Sequence, residues 1–426
     1  MRFSNLNDWL GWQEGLHPKA IELGLSRCRK VAEAMALLSP AFPVISVAGT
    51  NGKGSVVAFL ESLLSAAGFH VGAYTSPHLE QYAERIRFDG RPVANAQIAT
   101  AFERVDQARG ETSLTYFEFG TLAAMDIFQG ARPDFVLLEV GLGGRLDAVN
   151  LFDPAVAVIT TIDLDHADWL GDDRDSIGRE KAGIIRPQRP LVCGEPDPPE
   201  SVMAQAASMG SPAYRLGRDF HVEIDRDAWR CTGPGFDFSK LPMPVLQGDH
   251  QVGNAATALM AASLVVGEEI PLAAVVDGIR AACLPGRFQV FPGPVERIVD
   301  VAHNAQAART LAAQLRSRPC SGRTLAITGM LKDKDIPAII GPLASVVDDW
   351  FLASLPSERG LSAASLAEKM TVHVPRNKVS GYNDVASARA AAMGAAQLGD
   401  RVVAFGSFLV AGTCIRLETS DARPET

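Results

Sequence analysis

Short apolar runs at residues 44–48, 71–74, 135–140 and 156–162 alternate with longer segments of helix-compatible spacing. Uninterrupted apolar runs suit strands buried on both faces, and their alternation with helices predicts a parallel α/β sheet. Prolines recur around short strand candidates over 187–199, and 220–238 is β-like and broken by glycine, so the middle region is expected to carry a small antiparallel subsheet. Helical patterns return at 253–266 and 272–284. Proline and glycine then punctuate the chain at Pro285, Gly286, Pro292, Gly293 and Pro294, which makes 284–288 the linker candidate. Beyond it, apolar runs at 297–302, 324–329, 350–355 and 402–406 are separated by alanine-rich helical segments, the pattern of a smaller, doubly wound α/β domain. The expected division is 1–287 and 288–426.

The first apolar run stops abruptly at Gly49-Thr50-Asn51-Gly52-Lys53-Gly54-Ser55. Glycines there let the backbone reach conformations closed to other residues and bring consecutive N–H groups against an anion. Lys53 adds a point charge, the following helix adds its N-terminal dipole, and Ser55 falls where a hydroxyl can ligate Mg²⁺. The loop departs from G-x-x-x-x-G-K-[ST] because Gly54 separates the lysine from the hydroxyl. Two readings stand at this level: a phosphate cradle, which would make 1–287 P-loop ATPase-like, or a strand-to-helix turn that binds nothing.

Composition narrows the classes. The 426 residues are 47% hydrophobic and 21% charged, enough apolar material for two or three cores. A net charge of −9 offers no field for nucleic acid or an acidic membrane, although a local basic pocket is still allowed. Six cysteines without a C-x-x-C pair argue against a zinc site or disulfide framework and suit a reducing compartment. The first ten residues build no signal-type apolar core, and no stretch has the length of a membrane span. A cytoplasmic monomer acting on small molecules is expected.

Candidate chemistry sits at the ends of the strand candidates. Glu139 closes the run 135–138 and precedes a glycine-rich stretch; a buried carboxylate there needs a metal, an arginine or a water. His166 follows the run ending in Asp163-Leu164-Asp165, at the strand edge where parallel sheets bind ligands; it reads equally as a ligand or a hydrogen-bonded structural residue. Lys181 by itself reads as a solvated or ion-paired lysine on a short helix. Ser76, in Tyr74-Thr75-Ser76-Pro77-His78-Leu79, is a possible metal or phosphate ligand, with His78 structural.

In this order, Gly49–Ser55, Ser76–Leu79, Glu139 with Gly141–Asn150, Asp165-His166, Gly178–Gly183, Leu284–Phe288 and Asp300–Asn304 resemble the motifs of the folylpolyglutamate synthases across nearly the whole chain. The likeness looks closest to the bacterial bifunctional dihydrofolate synthase/folylpolyglutamate synthase branch of the Mur ligase superfamily. In that family the extra glycine before the loop hydroxyl is usual.

The resemblance implies ligation of L-glutamate to 7,8-dihydropteroate and to reduced folates, driven by ATP and Mg²⁺ at two sites. A carboxylate at neutral pH is a poor electrophile, so ATP would convert it to an acyl phosphate before the glutamate amine attacks. Ser55, Ser76, Glu139 and His166 match metal-binding positions, and Lys181 matches a lysine carbamylated by CO₂, which turns a cation into a carboxylate-like ligand. Asn254, Arg287 and Asp300 match positions that touch ATP, the last across the linker, so closure of the domains would keep water from the acyl phosphate. The pterin is expected at Ile21 and Glu22, at Thr115, Tyr116, Phe117 and Glu118, and at Leu146, Asp147 and Ala148. Asp147 would hydrogen-bond the amino-pyrimidine edge and Phe117 would offer a ring face, or simply pack in the core. His303 and Ser407 are similar to residues near the glutamate site. A cell-wall Mur ligase would need a domain for its UDP group, and about 43 residues before the first strand are too few. A P-loop switch or transport ATPase would hydrolyse ATP without regard to pterin or glutamate.

Overall fold

The structure, a computed structural model, describes residues 2–267 and 270–421. It divides into two compact units. The first comprises residues up to Asp163 together with Leu170–Val245 and Asp249–Cys283; the second comprises Leu164–Trp169, Leu246–Gly248 and the chain from Leu284.

In the first unit the strands are β1 (Val44–Ala48), β2 (Val71–Tyr74), β3 (Ile86–Phe88), β4 (Arg91–Pro92), β5 (Phe135–Glu139), β6 (Val156–Ile159), β7 (Leu191–Cys193) and β8 (Ala213–Arg215). They form one sheet in the order β4-β3-β2-β5-β1-β6-β7-β8. β2, β5, β1, β6, β7 and β8 run parallel, and β3 and β4 add an antiparallel edge. β1, β2, β5 and β6 are buried along their whole length, as strands covered by helices on both faces must be. β6 stops at Ile159, short of the predicted end at 162, because Thr160 and Thr161 turn their hydroxyls to the Gly49–Ser55 loop instead of extending the ladder.

β7 and β8 extend this sheet, so the antiparallel subsheet is confined to β9 (His221–Asp225), β10 (Ala228–Gly233) and β11 (Phe236–Pro242). The N-terminal helices Leu6–Glu14 and Ser26–Ala34 form no domain of their own. Trp9 and Cys28 are buried in the first unit's core with Phe102 and Phe119 of helices Asn95–Arg109 and Tyr116–Ala131.

The second unit carries β12 (Gln289–Phe291), β13 (Glu296–Val299), β14 (Thr324–Thr328), β15 (Asp349–Ala353), β16 (Val379–Tyr382) and β17 (Arg401–Phe405) in the order β12-β13-β17-β14-β15-β16. All are parallel except β12, which pairs antiparallel at one edge. Its core gathers Trp350, Phe405, Leu311 and Ile340 from strands and covering helices. β12 and β16 lie at the two edges and are only partly buried, so they lack the continuous apolar runs that reveal the inner strands. Among the described residues no helix is long and apolar enough to cross a membrane.

Candidate active site

The register of β1 with its neighbours sets Val47 beside Glu139 of β5 and Ala48 beside Ile159 of β6, while Tyr74 of β2 lies beside Leu138. The four strands therefore end together, and the segments that leave them meet at one carboxyl edge, the usual ligand edge of such sheets.

The loop after β1 leads into helix Lys53–Ala66, with Gly52 as its N-cap in the left-handed region at φ +85. A Cβ at Gly52 would lie 2.8 Å from Asn254 Oδ1, and one at Gly49 would lie 1.8 Å from Thr160 Oγ1, so both positions exclude side chains. The threonines after β6 tie the loop down. Thr50 N donates to Thr161 O at 2.7 Å, Asn51 N to Thr161 Oγ1 at 3.1 Å, and Thr160 Oγ1 to Asn51 O at 2.6 Å. Thr50 Oγ1 donates to Asp163 O at 3.0 Å. Lys53 Nζ donates to Gly49 O and Thr50 O at 2.9 and 3.1 Å, which holds the ammonium over the loop. Ser55 is buried in the first helical turn, and buried Asn254 stands on helix Asp249–Val266 with its Nδ2 on Gln251 Oε1. A preformed backbone loop with one cation and one hydroxyl has the chemistry to hold an anion.

Glu139 is buried at the end of β5, and Ser76 N donates to its Oε2 at 3.0 Å, so two of the proposed metal positions are in direct contact. Lys181 is only 3% exposed, on helix Arg174–Ala182. Of the solvated or ion-paired alternatives, the solvated one is thereby corrected; the helix is also packed closely at this point, since a Cβ added at Gly144 would lie 3.1 Å from Lys181 Cα. His166 falls in the second unit, in the left-handed region at φ +53, with its N–H on Asp165 Oδ1 at 2.9 Å. The hydroxyl and carboxylate oxygens of this set suit Mg²⁺, while the imidazole of His166 is its one softer donor. Among the described residues no three His, Cys, Asp or Glu side chains form a metal cluster, and this set supplies only two of those types.

The predicted pterin segments also converge. Asp147, 4% exposed, accepts from Gly141 N and Leu142 N on Oδ2 (3.1 and 2.9 Å) and from Val149 N on Oδ1 (3.1 Å). Burial pushes its carboxyl up to about 7, against the opposing pull of those amides and Lys53. The Phe117 ring covers Gly141, where an added Cβ would lie 2.8 Å from Phe117 Cζ and 3.2 Å from Asp147 Oδ2. Tyr74 stacks obliquely on Phe117 at 5.7 Å. Gly24 N donates to Leu146 O at 3.3 Å, which brings the segment with Ile21 and Glu22 alongside Leu146 and Ala148.

Some of these residues hold the fold together. Thr115 and Glu118 form a capping box that starts helix Tyr116–Ala131, with Glu118 Oε2 accepting from Thr115 N at 2.8 Å. Arg27 bridges Glu118 at 3.1 Å and Glu22 at 3.2 Å, and Glu22 also meets His17 Nε2 at 2.7 Å.

In the second unit, β13 and β17 run side by side and present Asp300, His303, Ser407 and Phe408 where they end. Asp300 accepts from Phe288 N and Ala302 N, both at 2.7 Å. Arg287 lies 5.5 Å over the Phe408 ring and His303 sits 5.7 Å from it. His303 Nδ1 is 2.8 Å from Val301 O, and Ser407 Oγ accepts from Val410 N at 3.2 Å. Asp165, which sequence reasoning passed over, is held at 2.8 Å by Lys334 Nζ and at 2.9 Å by Asn304 Nδ2, and Lys334 above all holds its carboxyl far below the usual range against burial. Lys334 lies in a charge-rich stretch, Lys332-Asp333-Lys334-Asp335, that reads as a solvated loop; only the adjoining Asp165-His166 dipeptide signalled this centre.

The comparisons with known proteins agree with this geometry. The Mur ligase middle domain family matches residues 47–262, and the Mur ligase glutamate ligase domain family matches 286–408. The chain is 45% identical over 405 residues to the dihydrofolate synthase/folylpolyglutamate synthase of Escherichia coli K12, covering 95% of this chain and 93% of that one. The structure of E. coli FolC in complex with DHPP and ADP superposes with a TM-score of 0.93 at 43% identity over 99% of both chains. A bifunctional folylpolyglutamate synthase/dihydrofolate synthase with Mn, AMPPNP and L-glutamate bound gives a TM-score of 0.90 at 43% identity over 97% of this chain and 98% of that one. With both domain families matched in order and 45% identity over 95% of its length, the chain belongs to the dihydrofolate synthase/folylpolyglutamate synthase family of Mur ligases.

Proposed function

We propose that this protein joins L-glutamate to 7,8-dihydropteroate and to reduced folyl(poly)glutamates at the expense of ATP. The observation that carries the reading is the shared carboxyl edge of β1, β2, β5 and β6, where a phosphate cradle, Glu139 with Ser76, and the Phe117–Asp147 wall come together. The acceptor carboxylate attacks the γ-phosphorus and ADP leaves; the glutamate amine then attacks the acyl carbon, phosphate leaves and one proton is lost.

The loop amides and Lys53 bind the nucleotide phosphates and stabilise the charge of the transferring group. Ser55, Ser76, Glu139, His166 and a carbamylated Lys181 would hold Mg²⁺, which supplies neutralisation of that charge. Asn254, Arg287 and Asp300 are assigned to the nucleotide. Asp147 takes the polar edge of the pterin and Phe117 its face, with Ile21, Glu22, Tyr116, Leu146 and Ala148 completing the wall. His303 and Ser407 are assigned to glutamate, so the division at the linker separates an ATP- and pterin-binding domain from a glutamate-ligase domain. The protein works as a cytoplasmic monomer.

Phosphate release from MgATP and L-glutamate, with products identified by mass, tests the reading. Release with both dihydropteroate and a reduced folyl monoglutamate, each gaining one glutamyl unit, is expected. Release with the folate alone would restrict the enzyme to chain extension, and release indifferent to either acceptor would overturn the ligase reading.

A further inference from the structure

Arg85 ends the short helix Tyr82–Arg85, and Thr75 N donates to its carbonyl at 2.9 Å, one residue before Ser76. Its side chain is fixed on three sides. Nε donates to His78 Nδ1 at 2.8 Å; because a guanidinium only donates, that ring nitrogen is the acceptor. The guanidinium carbon lies 5.3 Å from the Tyr82 ring centre and 5.4 Å from that of Tyr116. Tyr116 precedes Phe117, the ring that covers Gly141 beside Asp147.

What this arrangement leaves unused is the pair of terminal nitrogens. Among the described residues no carboxylate pairs with Arg85, and no acceptor faces its Nη groups, although the guanidinium is half-buried among aromatic rings. The neighbouring Arg87 shows the contrast: its fork is spent on Glu61 at 2.8 Å and on Thr75 Oγ1 at 2.9 Å. A guanidinium oriented by stacking, with its planar fork open, matches a carboxylate bidentately.

We propose that Arg85 binds a carboxylate of the acceptor substrate through its two terminal nitrogens. The assignment rests on the ligase reading above. Two carboxylates share this chemistry: the one that becomes the acyl phosphate, present on every acceptor, and the α-carboxylate of a glutamyl unit already attached, present only on folates. Orienting either one costs Arg85 little, because its stacking partners have already restricted its rotamers.

Arg85→Met tests this in the full-length enzyme. KM for the acceptor is expected to rise about 10- to 100-fold, the usual worth of hydrogen bonds to a charged group, while KM for ATP and the thermal midpoint stay unchanged. Arg85→Lys recovers part of the loss, since it restores the charge without the fork. Equilibrium binding gives an activity-independent readout. The wild type is expected to bind 7,8-dihydropteroate and the folyl monoglutamate more tightly than 6-methyl-7,8-dihydropterin, which lacks any carboxylate, and in Arg85→Met the excess affinity of each acceptor whose carboxylate Arg85 holds falls by the same factor.

A loss shared by dihydropteroate and folyl monoglutamate places Arg85 on the reacting carboxylate; a loss confined to the folate places it on the glutamyl tail. Unchanged acceptor KM, or an equal loss of affinity for the carboxylate-free pterin, overturns the proposal. Absence of acceptor-dependent phosphate release from the wild type would instead overturn the ligase reading, and the binding comparison would still decide Arg85. Should Arg85→Met not fold, Arg85→Gln carries the same comparison.

Discussion

Substituting Gly49 by alanine adds one methyl group at the point where the phosphate loop leaves β1. The new Cβ would lie 1.8 Å from Thr160 Oγ1 and 3.0 Å from Thr160 Cβ. An ordinary contact begins near 3.4 Å, so the loop and the segment after β6 must separate by about 1.6 Å, the difference from the 1.8 Å approach. Thr160 Oγ1 cannot yield freely, because it donates to Asn51 O at 2.6 Å and so holds the cradle itself. Gly49 also sits at φ +154, a conformation L side chains rarely adopt, which adds strain of about 1–3 kcal/mol. Displacing positioning groups by about 1 Å can cost on the order of 100-fold in rate. We therefore expect kcat/KM for ATP to fall roughly 100-fold, read by acceptor-dependent phosphate release and matched by weaker ADP binding in calorimetry. Adding Thr160→Ala removes the Oγ1 clash but leaves the φ strain and the Cβ approach, so the double variant should recover only about a tenth of the wild-type value. A Gly49→Ala enzyme within threefold of wild type would refute the claim that this loop is rigid and closely fitted.

Three further outcomes follow from buried charge. Asp147 has a folded pKa of about 7 against an unfolded value of 3.8, so its contribution is fully present below 3.8 and is lost as pH rises through 7; the melting temperature should fall across that window, and Asp147→Asn should flatten the fall. An unchanged slope in the variant would contradict the assignment. Lys334→Met leaves the Asp165 carboxylate, whose side chain is 10% exposed, with neutral donors but without its ammonium partner, and should cost about 3–5 kcal/mol in denaturant unfolding of the second unit, whereas the paired change Asp165→Leu with Lys334→Met restores most of it. A single-variant loss below about 1 kcal/mol would show that the pair is solvated. Lys181→Ala should lower phosphate release about 100-fold with KM for the pterin unchanged, since the lysine is assigned to the metal side of the site; wild-type rates would remove Lys181 from the mechanism.

How much of the protein could be read from the chain depends on the range of the interaction. Inner strands announce themselves because burial on both faces forces continuous apolar runs, as at Val44–Ala48 and Phe135–Glu139, and the glycines of the phosphate loop are visible because backbone conformation is written locally. The order of site motifs was therefore enough to recognise a ligase of this family. Edge strands such as Val379–Tyr382 were missed, since half-exposed residues carry no such pattern.

Whether a charged side chain is solvated, paired or left open is decided by residues far away in sequence, and only the tertiary structure could settle it. Lys181 reads from the sequence as a solvated or ion-paired lysine yet is 3% exposed, and Asp165 becomes an ion-pair centre only when Lys334, 169 residues later, reaches it. Arg85 and Arg87 are two residues apart and alike in sequence, yet one fork is consumed by Glu61 and the other, stacked on Tyr82 and Tyr116, remains open among the described residues. Desolvation and pairing are properties of surroundings that sequence spacing does not encode.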